Sequence, residues 1–280
     1  MNKLIISINK FNLFLTLNIY PFIFCISFIK KFLREKLIKF TYSMNFFLYS
    51  ILAQMVMKIS HRGYIGNKCV MENSLESITN ALNKNFDVIE LDLQLTKDNI
   101  IVLHHDLYVG SEDSNYKLIS DINYSDLKKN NNKILTISEL FKINDIDKKG
   151  LYLDLKGSDN LSNELIKFFN NDFSFKNNLY LGSFNKKHLN DLSTYNKIND
   201  LNLKLGYITD NRLLDKDLIK CKNEYNIDFL SLNWEMLRVD TLDFLKENKI
   251  KCFAFTCKNK FILDYINKFD IDGIVTDLLI

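Results

Sequence analysis

The sequence predicts an α/β protein: a (β/α)8 barrel preceded by a hydrophobic and amphipathic helical appendage. From Met57 onward, short apolar runs alternate with segments of helical periodicity, which is typical of βα units around a parallel sheet. There are eight apolar runs, and the segment 57–280 that holds them has the length of a single barrel domain. An open doubly wound sheet is the alternative, but no glycine-rich phosphate loop follows any of the runs.

The eight predicted strands leave room for helices between them. In chain order the strands are KISHRG (58–63), VIELDLQL (88–95), LYLDLKG (151–157), NLYLGSF (178–184), LKLGYIT (203–209), IDFLSLNW (227–234), KCFAFTC (251–257) and DGIVTD (272–277). The helical segments include ENSLESITNALNKN, SNELIKFFNN, NKKHLNDLSTYNK, DKDLIKCKNEY, TLDFLKENK and NKFILDYINKF. Because barrel active sites lie at the carboxyl ends of the strands, polar residues at those ends are the candidates for chemistry.

A separate segment, residues 1–56, precedes the predicted barrel. Nineteen residues from 11 to 29 carry no charge, close to the ~20 that cross a bilayer as a helix. The basic run KKFLREKLIK follows, and the positive-inside rule places such a flank, and the barrel after it, in the cytoplasm. The alternative is that translation starts at Met55 or Met57.

The next stretch, 40–57, has an apolar stripe at helical spacing and is predicted to be amphipathic. We expect it to lie on the membrane or to pack on the barrel in place of a final helix. A second span here would instead move the barrel to the opposite side of the membrane. The expected location is therefore cytoplasmic, with membrane contact through residues 11–57.

Charge and cysteine content exclude two classes of protein. Residues 1–57 carry a net charge of +6 and the whole chain +3, so the barrel segment is slightly acidic and offers no basic face for nucleic acid. The five cysteines are odd in number and show no CxxC spacing, which favours reduced, structural thiols over a disulfide framework.

The second and third predicted strands carry charged residues on one face. Side chains alternate along a strand, so Glu90 and Asp92 share a face, as do Asp154 and Lys156. Burying like charges costs free energy unless a cation neutralises them. Three carboxylates near strand ends suit a hard divalent cation such as Mg²⁺ or Ca²⁺. The alternative is a charged strand with a solvated face.

Histidines and basic residues lie near the same strand ends. His61 ends the first predicted strand, and IVLHHD places His105 and Asp106 after another apolar run. Histidine is the usual general acid or base near neutral pH, and an adjacent carboxylate can orient it. Arg62 and Lys156 are natural phosphate partners.

Together, HRG, ENS, IELDLQLTKDNIIVLHHD, LDLK, SFN and IDGIVTD resemble the glycerophosphodiester phosphodiesterase family over residues 58–277. The motifs occur in the family's order and at suitable spacing. The resemblance implies a TIM barrel. It also implies a catalytic pair in His61 and His105, phosphate contacts in Arg62 and Lys156, metal ligands in Glu90, Asp92 and Asp154, and Glu72 at the edge of the site. Asp106 is expected to support the histidine next to it.

Some positions depart from the family pattern. Asp154 stands where the family usually has Glu, Phe255 replaces a Trp, and Met71 replaces a Pro. The segment 106–151 is short and polar, which argues against a large substrate-capping insertion. His188, in NKKHLND, is predicted to lie on a helix surface.

The resemblance implies metal-dependent hydrolysis of glycerophosphodiesters to glycerol 3-phosphate and an alcohol, in phospholipid and glycerol metabolism. The hydrophobic amino terminus raises an alternative, a lysophospholipase D-type activity on a membrane lipid with one acyl chain. A third reading is a catalytically inactive barrel that serves as a binding module. In each case the expected partner is a small molecule, with no nucleic acid.

Overall fold

The computed structural model describes residues 56–66, 69–110, 116–171, 174–199 and 203–280. The strands are β1 (Met57–Ser60), β2 (Val88–Leu95), β3 (Ile101–Leu103), β4 (Tyr108–Val109), β5 (Lys117–Leu118), β6 (Gly150–Leu155), β7 (Leu179–Ser183), β8 (Lys204–Thr209), β9 (Phe229–Asn233), β10 (Lys251–Cys257) and β11 (Gly273–Thr276). All but β3, β4 and β5 are parallel, and they pair in the order β1, β2, β6 to β11, with β11 returning to β1. This closed barrel confirms the predicted fold.

Helices occupy the connections between strands. They are α1 (Leu75–Leu82), α2 (Tyr124–Asn130), α3 (Ile137–Leu140), α4 (Leu161–Phe169), α5 (Lys186–Asn199), α6 (Asp215–Tyr225), α7 (Val239–Glu247) and α8 (Lys260–Ile266). Side-chain caps start several of them. Ser74 Oγ accepts a hydrogen bond from the Ser77 N–H at α1, and Asn259 Oδ1 accepts one from the Ile262 N–H at α8. The helix that the sequence predicts to begin at ENS therefore begins one residue after its serine.

The predicted amino-terminal segment falls almost entirely outside the described residues. This holds for the uncharged run 11–29 and for the amphipathic stretch 40–57, of which only Val56 and Met57 are described. In the part of the chain that the structure describes, no helix combines the length and the apolar character needed to cross a membrane.

Large apolar side chains fill the barrel interior below the strand ends. Each barrel strand contributes one: Ile59, Val88, Tyr152, Tyr180, Ile208, Phe229, Phe253 and Val275. The rings of Phe229 and Phe253 stack with 4.7 Å between centroids. Gly206 makes room for this packing, because a Cβ there would lie 2.1 Å from the Phe229 ring. The charged residues of the barrel cavity lie together with residues of this layer at the carboxyl-terminal mouth.

The alternation predicted for β2 delivers two carboxylates to that mouth. Ile89, Leu91 and Leu93 are fully buried in the cluster that packs strands against helices. Glu90 and Asp92 instead line a cavity together with residues of the interior cluster. One strand thus supplies both packing and site residues.

The IVLHHD run forms β3, which is not a barrel strand. It turns back and pairs antiparallel with the end of β2, with Leu103 opposite Leu93. The His104 N–H donates to the Asp92 carbonyl oxygen at 3.1 Å, which places the residues after β3 level with the middle of β2. The segment from there to β6 adds the β4–β5 hairpin and two short helices.

Candidate active site

Three buried carboxylates lie together at the barrel mouth. Asp92 of β2 and Asp154 of β6 are direct neighbours in the parallel register, and Glu90 lies one inward-facing position earlier on β2. One oxygen from each of the three lies within 4.8 Å of the others. Their exposed fractions are 4%, 2% and 7% for Glu90, Asp92 and Asp154. The structure therefore brings together the three acids singled out by the strand pattern.

Two cations lie beside these acids. Lys156 Nζ is 2.6 Å from Asp154 Oδ2 and 3.3 Å from Asp92 Oδ1. Arg62 Nε is 3.3 Å from Asp92 Oδ2. Burial raises the pKa of Glu90 well above its ordinary value, and the neighbouring acids raise it further. Burial also acts to raise the pKa of Asp92, but Lys156 and Arg62 outweigh it and lower that pKa.

The donor set fits a hard divalent cation. Asp154 Oδ1 is buried and has no hydrogen-bond partner. A buried carboxylate oxygen without a partner is costly, and burial raises the pKa of Asp154 accordingly. Mg²⁺ and Ca²⁺ take carboxylate oxygens as ligands. Glu90, Asp92 and Asp154 are therefore the residues that could hold such an ion.

The turn after β1 wraps around Glu90. Arg62 and Gly63 both have left-handed backbones, with φ of 54° and 78°. The Arg62 N–H donates to Glu90 Oε2 at 2.8 Å, and the Gly63 N–H donates to the Glu90 carbonyl oxygen at 3.0 Å. A Cβ on residue 63 would lie 2.5 Å from Ser77 Oγ, so glycine lets the turn approach α1. The HRG turn thus holds an acid of β2 while presenting His61 and Arg62 at the mouth.

Glu72 lies beside Arg62. Both of its carboxylate oxygens are 2.8 Å from Arg62 Nη1. Its side chain is 42% exposed, in contrast to the buried acids. Glu72 therefore contacts the arginine from the exposed edge of the cavity.

Asn73 is a residue that the sequence analysis missed. Its Nδ2 donates to Asp92 Oδ2 at 2.8 Å, and its Oδ1 accepts from the Asp92 N–H at 3.0 Å. The residue is 1% exposed and has a φ of 54°. Asn adopts this backbone conformation more readily than most residues. The asparagine in ENS was the available signal, since its side chain is short, polar and next to a motif glutamate.

His61 is oriented by a second missed residue, Asp277. The His61 Nδ1 and Asp277 Oδ1 atoms are 2.8 Å apart. Closure of the barrel creates this contact. Ser60, the last residue of β1, is opposite Thr276, the last residue of β11, and His61 and Asp277 directly follow them. Alternation was the usable signal: each residue stands two positions after an inward-facing apolar residue.

His105 has an equivalent carboxylate partner, and this one was predicted. Its Nδ1 lies 2.7 Å from Asp106 Oδ1. Gln94 holds the loop in place by directing Nε2 at the carbonyl oxygens of both residues, each at 3.1 Å. Gln94 is 3% exposed and continues the inward face of β2.

These groups share one cavity of about 140 Å³. His61, His105, Arg62 and Lys156 line it together with the three acids. Phe184 and Phe255 form an apolar wall, with ring centroids 6.1 Å apart in an edge-on arrangement. Lys156 Nζ lies 5.4 Å from the Phe184 centroid, within range of a cation–π contact.

His188 does not lie on the surface, and that prediction is wrong. The residue is fully buried on the inner face of α5, next to Leu189 and Leu192. Its Nδ1 is 2.9 Å from Ser183 Oγ and its Nε2 is 2.9 Å from the Ser158 carbonyl oxygen. The imidazole therefore ties the end of β7 to the loop after β6.

Comparisons with known proteins agree on one family. A family model described as the glycerophosphoryl diester phosphodiesterase family matches residues 61–279. A curated glycerophosphodiester phosphodiesterase of Caldanaerobacter subterraneus subsp. tengcongensis is 27% identical over 239 residues, which cover 78% of this chain and 93% of the relative.

Two solved structures share the fold. A glycerophosphodiester phosphodiesterase from Thermotoga maritima is 24% identical, has a TM-score of 0.64, and covers 79% of this chain and 94% of its own. An Oleispira antarctica phosphodiesterase, in complex with the product sn-glycerol-3-phosphate, is 22% identical, has a TM-score of 0.67, and covers 81% and 95% of the two chains.

Proposed function

The chain belongs to the glycerophosphoryl diester phosphodiesterase family and hydrolyses glycerophosphodiesters to glycerol 3-phosphate and an alcohol, and we propose which of its residues carry this reaction. The observation behind the assignment is a cavity in which two histidine–carboxylate pairs and two cations surround three buried acids. Acid–base groups next to a charge-neutralising cluster are what cleavage of a phosphodiester requires.

Glu90, Asp92 and Asp154 would hold a divalent cation, Mg²⁺ or Ca²⁺. When bound, such an ion supplies Lewis-acid charge for the phosphoryl oxygens. Two observations support this assignment. Asp154 Oδ1 is buried without a hydrogen-bond partner, and burial together with the neighbouring acids raises the pKa of Glu90. A bound cation would stabilise the ionised form of both carboxylates.

Arg62 and Lys156 neutralise the negative charge that develops on the phosphoryl oxygens. Arg62 is directed by Glu72 at Nη1, and Lys156 by Asp154. Both side chains line the cavity, so a bound phosphate contacts groups that are already in position. This preorganisation is their proposed contribution.

His61 and His105 are the proposed acid and base. A carboxylate occupies Nδ1 of each imidazole, which leaves Nε2 to face the substrate. One histidine removes a proton from the nucleophile, which is water or a neighbouring hydroxyl of the substrate. The other protonates the alkoxide as the phosphorus–oxygen bond breaks.

The test is release of glycerol 3-phosphate from glycerophosphocholine and glycerophosphoethanolamine by the purified full-length chain. We expect release with Mg²⁺ or Ca²⁺, loss of release with chelator, and recovery when the ion is returned. His61→Ala and His105→Ala should each lower kcat by about 10²-fold or more while cation binding persists. Full activity in either variant would overturn the assignment, and no release by the unaltered protein with metal would overturn the function.

We also propose membrane contact through residues 11–57, which rests on the uncharged run 11–29 and the basic run after it. Sedimentation of the full-length chain with phospholipid vesicles tests this. No sedimentation of the full-length chain with the vesicles would contradict the proposal, as would binding that is unchanged when apolar residues of the run 11–29 and the basic residues of KKFLREKLIK are both replaced by serine.

A further inference from the structure

Exposed apolar side chains are concentrated at one end of the barrel. Twelve large apolar residues are exposed in the part of the chain that the structure describes. Ten of them lie in the segments that follow the carboxyl ends of the strands, or in the first helical turn after such a segment; Ile198 and Ile219 lie elsewhere. Single exposed apolar residues are ordinary on a protein surface, but a random scatter would not favour one end of a barrel.

Four consecutive connections carry the most regular part of this pattern. The strands β7 to β10 are parallel and pair in chain order, so the connections that follow them are neighbours around the mouth. Each connection has one exposed apolar side chain. These four residues, which we call the rim residues, are Phe184 after β7, Leu214 before α6, Val239 at the start of α7 and Phe261 in the first turn of α8.

Exposed basic residues accompany every rim residue. Within three positions of a rim residue lie Lys186, Lys187, Arg212, Lys216, Arg238, Lys258 and Lys260. The same stretches contain four acidic residues, so their net charge is +3. Residues 58–280 as a whole carry a net charge of −3, which leaves −6 for the rest of this segment. The rim is therefore a basic edge on an otherwise acidic domain.

This combination of side chains matches the surface of an anionic bilayer. Apolar side chains can enter the region between lipid head groups and acyl chains, while basic side chains beside them are attracted to anionic head groups. A second copy of the chain is a poorer fit, because two rims placed face to face would bring like charges together. Charge and apolar exposure thus favour the same partner.

We propose that the rim residues and their basic neighbours dock the barrel on an anionic phospholipid surface, with the catalytic mouth towards the bilayer. This surface is separate from the segment 11–57, for which membrane contact is proposed above. It requires none of the catalytic groups. The inference therefore goes beyond the proposed hydrolysis, and a failure of either leaves the other untouched.

The experiment moves the single tryptophan of the chain, Trp234, to two chosen positions in the full-length protein. Phe261→Trp with Trp234→Phe places the reporter on the rim. Ile198→Trp with Trp234→Phe places it near the end of α5, away from the mouth. The original side chains at the two positions are 74% and 76% exposed, so the reporters differ in location and hardly in exposure.

Each reporter is mixed with phosphatidylglycerol vesicles whose acyl chains carry bromine, which quenches tryptophan fluorescence only at close range. We expect the emission of the rim reporter to shift to shorter wavelength and to be quenched. The Ile198→Trp reporter should show neither change. Because the readout is local, binding of residues 11–57 alone would not produce it.

A second pair of variants tests the charges. In the rim reporter, Lys258→Gln with Lys260→Gln should lower the ratio of quenched to unquenched tryptophan by about tenfold or more. Lys251→Gln with Lys268→Gln is the matched control. It removes two exposed lysines near the opposite ends of the same strand and helix, β10 and α8, and should leave the ratio unchanged.

Several results would overturn the proposal. Sedimentation of the chain with vesicles while the rim reporter stays unquenched would leave only the contact through residues 11–57. Equal quenching of the two reporters, or equal effects of the two lysine pairs, would show that the rim does not direct docking. A blue shift of the rim reporter that grows with protein concentration without lipid, and no quenching by vesicles, would assign the rim to contact between copies of the chain.

Discussion

Asn73 makes two hydrogen bonds with Asp92: its amide nitrogen donates to the Asp92 carboxylate, and its amide oxygen accepts from the Asp92 backbone N–H. The pair fixes both the position and the rotation of a proposed metal ligand. Because the amide donates to Oδ2, it also helps to keep Asp92 ionised despite burial. Asn73 is a positioning residue: its side chain contacts Asp92, and its backbone N–H donates to the Arg62 carbonyl oxygen at 3.0 Å.

Removal of the two hydrogen bonds between Asn73 and Asp92 should weaken cation binding. Asn73→Gly preserves the left-handed backbone and deletes both hydrogen bonds. We expect cation affinity, measured by calorimetric titration of the chelated protein, to fall by about 10- to 100-fold. Asn99→Gly is the matched control, since Asn99 has a φ of 60° but lies in the β2–β3 turn. Equal affinities in the two variants would contradict the role given to Asn73.

The contact between Asp277 and His61 should matter for turnover. Asp277→Asn removes the charge that holds the imidazole, so we expect kcat to fall by about 10² to 10⁴-fold with a smaller change in KM. The thermal midpoint should stay within a few degrees of the unaltered protein. Asp264→Asn, an exposed site on α8, serves as the comparison. If kcat is retained in Asp277→Asn, the carboxylate does not orient His61 for catalysis.

Glu90 should destabilise the metal-free fold at neutral pH. Burial raises its folded-state pKa above the ordinary value of 4.5. The contribution of Glu90 to the free energy of unfolding is therefore most favourable below pH 4.5 and is lost as the pH rises through the folded-state pKa. In chelator at neutral pH, Glu90→Gln should therefore raise the thermal midpoint, by about 2 to 4 °C for each kcal/mol. Scanning calorimetry from acidic to neutral pH measures the difference.

Added cation should reverse that order. The unaltered protein should gain stability with increasing Mg²⁺ or Ca²⁺, because an ion that binds only the folded state shifts the equilibrium. Glu90→Gln should gain much less. Two results together would show that the three acids do not form the cation site. Glu90→Gln would have a lower thermal midpoint than the unaltered protein in chelator, and added cation would raise the midpoints of the two proteins equally.

Loss of His188 should reduce stability and alter its pH dependence. His188→Ala leaves a cavity, which costs about 2 to 4 kcal/mol. It also removes one hydrogen-bond partner each from Ser183 Oγ and the Ser158 carbonyl oxygen, although both keep a backbone partner. Burial lowers the pKa of His188 below its ordinary value of 6.5. Its stabilising contribution is therefore present above pH 6.5 and is lost as pH falls below it.

Urea unfolding of His188→Ala across this pH range should show a weaker acid-side decline than the unaltered protein. His104→Ala provides the comparison, since the His104 side chain is partly exposed. An identical pH profile in the unaltered protein and in His188→Ala would mean that the buried imidazole does not titrate in this range.

The succession of eight apolar runs and intervening helical segments predicted the barrel, and the alternation of side chains along single strands predicted which acids face inward. The period of two in VIELDLQL places Glu90 and Asp92 on the inner face, and the register with β6 then brings Asp154 beside them. Local pairs were also readable, because His105 and Asp106 are adjacent in sequence. These features depend on one strand or on neighbouring residues.

Contacts that depend on barrel closure or on loop conformation could not be predicted from the alternation of residues along one strand. Asp277 reaches His61 only because β11 pairs with β1, and Asn73 reaches Asp92 only through a left-handed turn. His188 was misplaced because a histidine among polar neighbours suggests a surface helix. The adjacent Leu189 and Leu192 mark the face on which it is in fact buried.

The pairing of β1 with β11 also bears on the order in which the protein becomes active during synthesis. His61 and Asp277 are separated by 216 positions, so a ribosome that has made most of the barrel has made one histidine without its partner carboxylate. The earlier strands can collapse while the chain is still growing, but β1 cannot pair with β11 until β11 has been synthesised. Hydrolytic activity is thus expected only after β11 has been synthesised and has paired with β1.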